Sequence, residues 1–231
     1  MLRVIEKFDV NKRIRFFQSG SSEMFGSTDL GEVHELSDMN PNSPYAESKF
    51  NAYLAVKSFR ENYGLFAVNG ILFNHESEYR NSDFLTKKLT NFLVTYKHKS
   101  KQQLTLGNIG ASRDWSYVGD FIPGIWQSLQ VELPSEYVLA SGEQHTILQV
   151  LEIGCSLLNI DFNFDSDLRI DTKLHRPSES VPVRAITLKA KEELGWYSSY
   201  SLENLMSRLL KFETLRLCSG IEPPIFPEDF V

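Results

Sequence analysis

Several things are scarce in this sequence, and each scarcity excludes something. Two cysteines in 231 residues, Cys155 and Cys218, lie far apart with no metal-type spacing. They exclude a disulfide scaffold or a zinc ribbon and are expected to be reduced thiols of a cytoplasmic protein. No apolar run is long enough to cross a membrane, and no signal peptide is expected at the start. Basic residues are outnumbered: 24 Lys and Arg against 30 Asp and Glu, a formal charge of -6. That balance argues against a general nucleic-acid binder and leaves room only for local basic clusters around a phosphorylated ligand. No G-x-G-x-x-G or G-x-x-G-x-x-G occurs anywhere, so the usual glycine-rich cradle for a dinucleotide pyrophosphate is missing from this chain. Repeats and low-complexity tracts are absent as well. What remains, 42% hydrophobic and 23% charged, is the composition of a globular chain long enough for one sizeable core, or one domain with a small lobe.

The most informative stretch is Ser43-Pro44-Tyr45-Ala46-Glu47-Ser48-Lys49. Serine suits an N-cap and proline the first helical position, so a helix is expected over about 44–62, stopped by Gly64. Tyr45 and Lys49 then stack one turn apart on one face. An ammonium beside a phenol favours the phenolate, which suits the tyrosine to acid or base work near neutral pH. The spacing is not unique, since Tyr53 and Lys57 repeat it, and such a pair can equally be an ordinary helix surface. Phe50, Tyr53 and Leu54 are expected to face the core. Just upstream, residues 13–19 alternate as a strand that runs into the polar turn Gly20-Ser21-Ser22-Glu23. Hydroxyls and a carboxylate at a strand's C-terminal end, followed by a helix with Tyr and Lys, match the crevice where open α/β sheets bind ligands.

Further along, Leu65 to Phe73 is nearly all apolar, as for a strand buried on both faces. It ends in Asn74-His75-Glu76-Ser77, expected on the same side of the sheet as Ser21 to Glu23. Other elements are expected at 2–8 (the end of a helix), 84–96 (helix), 103–106 (strand), 119–130 (helix), 136–140 (strand), 147–158 (amphipathic helix) and 188–194 (helix capped by Thr187 and closed by Gly195). Residues 160–185 read as irregular and polar. Leu202, Leu205, Met206, Leu209 and Phe212 form the apolar stripe of a last helix. Lys97, Lys99 and Lys101 read as a solvated face.

Taken together, Ser-Ser-Glu-Met-Phe-Gly at 21–26 and Ser-Pro-Tyr-Ala-x-x-Lys at 43–49 resemble the extended short-chain dehydrogenase/reductases that act on nucleotide sugars. Within that group, Gly70 to Ser77, Leu106-Gly107-Asn108 and Arg113-Asp114-Trp115 are similar to the GDP-mannose 4,6-dehydratases, with His175 to Glu179 and Glu193 to Trp196 as looser landmarks. The resemblance implies an α/β fold: the C-terminal part of a Rossmann-like, doubly wound parallel sheet with a small mixed substrate lobe. Residues 1–160 would form the partial catalytic domain, and 161–231 mainly the substrate lobe and C-terminal helices, interleaved with it. In the family a nucleotide-binding half precedes this region. Its absence here would leave a strand unpaired and apolar surface exposed.

The resemblance also implies NADP as cofactor, a nucleotide sugar such as GDP-mannose as substrate, and homo-oligomers or completion by another chain. Tyr45 matches the base at the sugar O4, Lys49 the residue that tunes it and holds the nicotinamide ribose, Ser21 the hydroxyl bonded to O4, and Glu23 the carboxylate that works at C5 and C6. His75 and Arg80 match cofactor contacts. Asn74, Lys88, Arg113 and Arg176 are the candidates for the nucleotide diphosphate, although Arg113 beside Asp114 equally suits an ion pair that holds a loop. Phe25 and Trp115 are read as packing. Two alternatives stay open: another nucleotide-sugar decarboxylase, epimerase or reductase, or a non-catalytic paralogue that binds a full-length partner.

Overall fold

The computed structural model describes residues 1–9, 11, 13–26, 31–174 and 183–220. Its elements, in chain order, are α1 (Leu2–Phe8), β1 (Phe16–Ser19), a 3-10 turn (Ser22–Phe25), β2 (Glu32–Val33), α2 (Pro44–Tyr63), β3 (Ala67–Leu72) and β4 (Asn74–Glu76). Next come α3 (Leu85–His98), β5 (Leu104–Leu106), β6 (Ser112–Arg113), β7 (Trp115–Tyr117), α4 (Val118–Ser128), β8 (Glu136–Leu139) and β9 (His145–Thr146). The chain continues through α5 (Ile147–Leu158), β10 (Leu168–Ile170), a second 3-10 turn (Thr172–Leu174), β11 (Arg184–Ala185), α6 (Leu188–Leu194) and α7 (Leu202–Ser219).

β3 is the middle strand of a three-stranded parallel sheet, ordered β1-β3-β8. All six of its residues are buried, as the apolar run predicts for a strand covered on both faces. Its side chains alternate between two helical layers. Ala67 packs with Ile5 of α1 and Val56 of α2, and Ile71 with Tyr53 of α2 and Met24 and Phe25. Val68 and Leu72 face the other way, toward Phe121 of α4, Ala190 of α6 and Trp196. Gly70 is required where it stands, because a Cβ there would lie 2.2 Å from the Phe17 ring.

A second core gathers α3, α5 and α7 against Leu104, Leu106, Trp115 and Tyr117. Phe25 and Trp115 are therefore packing residues. Four two-stranded pairs flank the main sheet, β4 with β7, β5 with β10, β2 with β11 and β6 with β9. Buried ion pairs fix α7 in place. Glu213 holds Lys87 and Arg216, and Glu78 holds Arg208.

Some expectations need correction. Leu54 is exposed, because the buried stripe of α2 runs through Ala46, Tyr53 and Val56 instead. Thr187 stands at the N-cap of α6 but its side chain makes no capping bond. The first strand is confined to 16–19, since Asp9 accepts the Arg13 and Ile14 N–H groups and turns that segment. The region 160–185 contributes β10 and β11 by pairing with distant strands, which local composition cannot reveal. Asn74 to Glu76 form a strand of their own, paired with β7 and outside the main sheet.

Candidate active site

The loop after β1 is built to present Glu23. Ser21 caps the Ser22–Phe25 turn, its Oγ accepting the Glu23 N–H at 3.2 Å. Met24 and Phe25 are fully buried, and anchoring them leaves Glu23 facing outward. Gly26 ends the turn at φ 63°, ψ -145°, a conformation that side chains other than hydrogen avoid. Ser21 is itself buried.

Helix α2 starts as its sequence dictates. Ser43 Oγ accepts the Ala46 N–H at 3.1 Å, Pro44 occupies the first turn, and Gly64 closes the helix in the left-handed region. The two Tyr-x-x-x-Lys pairs separate cleanly. Tyr53 is buried, and burial pushes its phenol up to about 12, the wrong direction for a base. Tyr45 is 54% exposed, with the Lys49 Nζ 5.7 Å from its ring centre. Lys49 also reaches back to the end of β1, donating to the Ser19 carbonyl at 3.1 Å. One ammonium thus ties the helix to the strand end that carries Ser21 and Glu23.

His75, in β4, lies within electrostatic range of Lys49 and Arg80. Its Nδ1 is 2.8 Å from the Phe73 carbonyl, which only accepts, so the hydrogen-bond pattern assigns the proton to Nδ1 and a lone pair to Nε2. Burial lowers its pKa, and both cations push the same way, so the ring is neutral. Arg80 lies over the Phe84 ring at 3.7 Å, with its Nε 3.4 Å from Glu76. Glu76 is buried and accepts from Thr86 Oγ1 at 2.6 Å. The Arg80 guanidinium is therefore held on both face and edge.

A cleft beside the Ser22–Phe25 turn brings Glu23, Asn74 and Arg113 together, with Ser22, Gly26, Ser112, Asp114 and Gln144 also in its wall. Arg113 donates to the Ser112 carbonyl at 2.7 Å. The neighbouring Asp114 is 1% exposed and accepts from the backbone N–H groups of Ser141 and Gly142 and from Ser116 Oγ. Asp114 thus pins the loop opposite, and burial raises its pKa despite those bonds. Lys88 is exposed on α3 and does not line the cleft. Arg176, with the rest of the 175–179 landmark, lies outside the described residues.

Sequence reasoning missed Gln144. It joins Ser112 Oγ at 3.1 Å to the Val183 carbonyl at 2.6 Å and so ties two distant loops. Nothing in its local sequence marks it. Ser112 was within reach as the residue before Arg113. Among the described residues no group of three His, Cys, Asp or Glu gathers to hold a metal, and no helix is long and apolar enough to cross a membrane.

Comparisons with known proteins show which family the chain belongs to. A family model described as GDP-mannose 4,6 dehydratase matches residues 1–209. GDP-mannose 4,6 dehydratase 1 of Arabidopsis thaliana is 40% identical over 214 residues, which covers 90% of this chain and 58% of that protein. GDP-mannose 4,6 dehydratase 2 of the same plant is 41% identical over 202 residues, or 87% of this chain and 53% of that protein. The chain therefore spans a little over half the length of these curated relatives. Among solved structures, DesIV, a dTDP-glucose 4,6-dehydratase from Streptomyces venezuelae with NAD and TYD bound, superposes with a TM-score of 0.77 at 25% identity. The match covers 95% of this chain and 64% of that one. RMD from Pseudomonas aeruginosa, complexed with NADPH, gives 0.79 at 20% identity over 87% of this chain and 67% of its own, a likeness of fold alone.

Proposed function

The chain belongs to the GDP-mannose 4,6-dehydratase family, and we propose that it carries the proton-handling and sugar-binding part of a GDP-mannose 4,6-dehydratase. The observation that carries this reading is the outward carboxylate of Glu23 in a cleft with Asn74 and Arg113, one loop from the Tyr45–Lys49 pair. An enzyme that only moves hydride at C4 needs a base at O4. A dehydratase also needs a group to take the C5 proton and return one to the departing C6 hydroxyl.

The roles follow from position. Tyr45, as the phenolate beside the Lys49 ammonium, takes the O4 proton. Ser21 Oγ spends a lone pair on the Glu23 N–H, which leaves its own hydrogen to donate to O4. Glu23 takes the C5 proton and delivers it to the C6 oxygen as water leaves, and C5 regains a proton from solvent as the 6-deoxy product forms. Arg113 and Asn74 hold the nucleotide diphosphate; Lys88, outside the cleft, and Arg176 remain candidates for it on the family resemblance alone. Arginine suits this task because its planar donors pair with phosphate oxygens.

The residues present fit one end of a nicotinamide cofactor. Lys49 and Arg80 both lie within electrostatic range of His75, and the neutral His75 offers an acceptor at Nε2. Lys49 would hold the nicotinamide ribose and His75 and Arg80 the adjoining parts of NADP. When bound, the nicotinamide supplies hydride acceptance at C4 and hydride return at C6. The pyrophosphate end has no glycine-rich cradle in these 231 residues. A cytoplasmic location suits the two free thiols, Cys155 buried and Cys218 exposed. Homo-oligomers are the form we expect.

The test is a product assay on the chain joined behind the nucleotide-binding part of the Arabidopsis relative that precedes the matched stretch. A 4-keto-6-deoxy product from GDP-mannose without added reductant, lost in Glu23→Gln, is the expected result. A C4 epimer or a decarboxylated sugar would move the chain to another activity of the same fold.

A further inference from the structure

Glu76 is a buried carboxylate that the proposed reaction does not use. It is 3% exposed and sits in β4 beside His75. Burial raises its pKa, and two groups oppose that: the Thr86 hydroxyl, donating to Oε2 at 2.6 Å, and the Arg80 cation. Other cations near this loop are already engaged. Lys87 pairs with Glu213 and donates to the Glu78 carbonyl at 2.6 Å, and Arg208 pairs with Glu78. Arg80 is the cation that acts on Glu76, its Nε 3.4 Å from Oε2.

Arg80 is divided between two environments. Its Nε is buried and makes no hydrogen bond, so the Glu76 charge is what compensates it. The guanidinium lies 3.7 Å from the Phe84 ring centre. Its two terminal nitrogens make no hydrogen bond to any described residue, and the side chain keeps 27% of its surface exposed. The fork is thus held by edge and face with its outer donors uncommitted, an arrangement suited to phosphate oxygens. A neutral residue would accept from Thr86 equally well. Ionising a group as buried as Glu76 is costly, and only a cation offsets it.

We propose that Glu76 is a positioning residue: its carboxylate fixes the Arg80 guanidinium against Phe84, so that the terminal N–H groups meet an anionic oxygen of the nicotinamide cofactor near His75. Glu76 is itself too buried to touch the ligand. An arginine free to rotate would spread its fork over many rotamers, and fixing it before the ligand arrives removes that ordering cost from binding. The identity of the ligand rests on the dehydratase reading; the hold on Arg80 does not.

The Arg80 Nε–H signal in the proton–nitrogen NMR spectrum of the chain reports this hold, assigned by its loss in Arg80→Lys. It should be one line set apart from those of the exposed arginines. Glu76→Gln keeps an acceptor for Thr86 but turns an uncharged amide toward Arg80, so the line should merge with them. In the chimera with the Arabidopsis nucleotide-binding part, Glu76→Gln should weaken NADPH binding about 10-fold and add nothing in the Arg80→Lys background, since coupled residues do not act additively. Thr86→Val should lower Tm and leave NADPH affinity unchanged. Should Glu76→Gln not fold, Glu76→Asp withdraws the carboxylate by one methylene and should shift the Arg80 line and the NADPH affinity in the same directions. An unmoved Arg80 line in the Glu76 variants, an equal loss of NADPH affinity in the Arg80→Lys background, or the same loss in Thr86→Val would each overturn the proposal. Turnover separates the two readings. Coupled loss of NADPH binding in a chimera that gives no 4-keto product would leave Glu76 in its role and fell the dehydratase assignment. A 4-keto product with NADPH affinity unchanged by Glu76→Gln would do the reverse.

Discussion

Replacing Gly26 by alanine is expected to cost this fold more than any other single methyl group near the cleft. The residue sits at φ 63°, ψ -145°, a region that is nearly glycine-only and costs about 1–3 kcal/mol for other residues. A Cβ there would also fall 1.7 Å from the Asn40 carbonyl oxygen. That oxygen is backbone and cannot rotate away, so the Gly26–Asn40 bridge must open, at a further cost of about 1–3 kcal/mol. The sum, about 4 kcal/mol, corresponds to a fall in Tm of about 12 °C for a domain of this size. Gly195→Ala is the control. Gly195 has a similar φ of 66°, but its added Cβ meets nothing within 4 Å, so only the left-handed penalty of about 1–2 kcal/mol remains. Thermal unfolding followed by circular dichroism measures both. If the two variants melt together, the close approach of Asn40 to Gly26 is not present and the account of how Glu23 is presented fails.

Three further outcomes are expected. Tyr45→Phe should abolish turnover in the chimera and leave Tm unchanged, because the phenol is exposed, whereas Tyr53→Ala should lower stability by about 3–5 kcal/mol through the cavity it leaves; a comparison of melts and rates separates the two tyrosines. His75 is partly buried and neutral, with its folded pKa below the ordinary 6.5, so the unfolded chain binds the proton first. Its contribution to stability is complete above about 6.5 and is lost as pH falls through that value toward the folded pKa, and His75→Asn should flatten the Tm–pH slope in this window. Glu213→Leu should destabilise by about 3–5 kcal/mol in urea titration, because it strands Lys87 beneath α7.

The parts of this molecule that were legible in sequence are those whose cause is local. Ser43, Pro44 and Gly64 bound α2, and the periodicity of 147–158 matches α5 end to end. The nearly apolar run through β3, interrupted only by Asn69, announces burial on both faces by itself. Where partners are remote the sequence is silent. β10 and β11 exist because they pair with β5 and β2, and Gln144 joins the cleft through Ser112 and Val183. Leu54 misled because the stripe of α2 is narrow and Ala46 and Val56 fill it. Within the candidate site, the motifs located Glu23, Tyr45 and Lys49. The core-facing side of Tyr53 was legible too, whereas the bonds from Asp114 to the 141–142 loop join remote residues and are seen only in the structure.

The central claim is that Glu23 works at C5 of the sugar. The most direct measurement is to run the chimera on GDP-mannose in deuterium oxide and locate the label by NMR. Because Glu23 sends the C5 proton out on the departing C6 oxygen, C5 must regain a proton from solvent, so one deuterium should appear at C5 of the 4-keto-6-deoxy product, and Glu23→Gln should yield neither label nor product. Turnover that leaves C5 unlabelled, or product formed at the normal rate by Glu23→Gln, would contradict it.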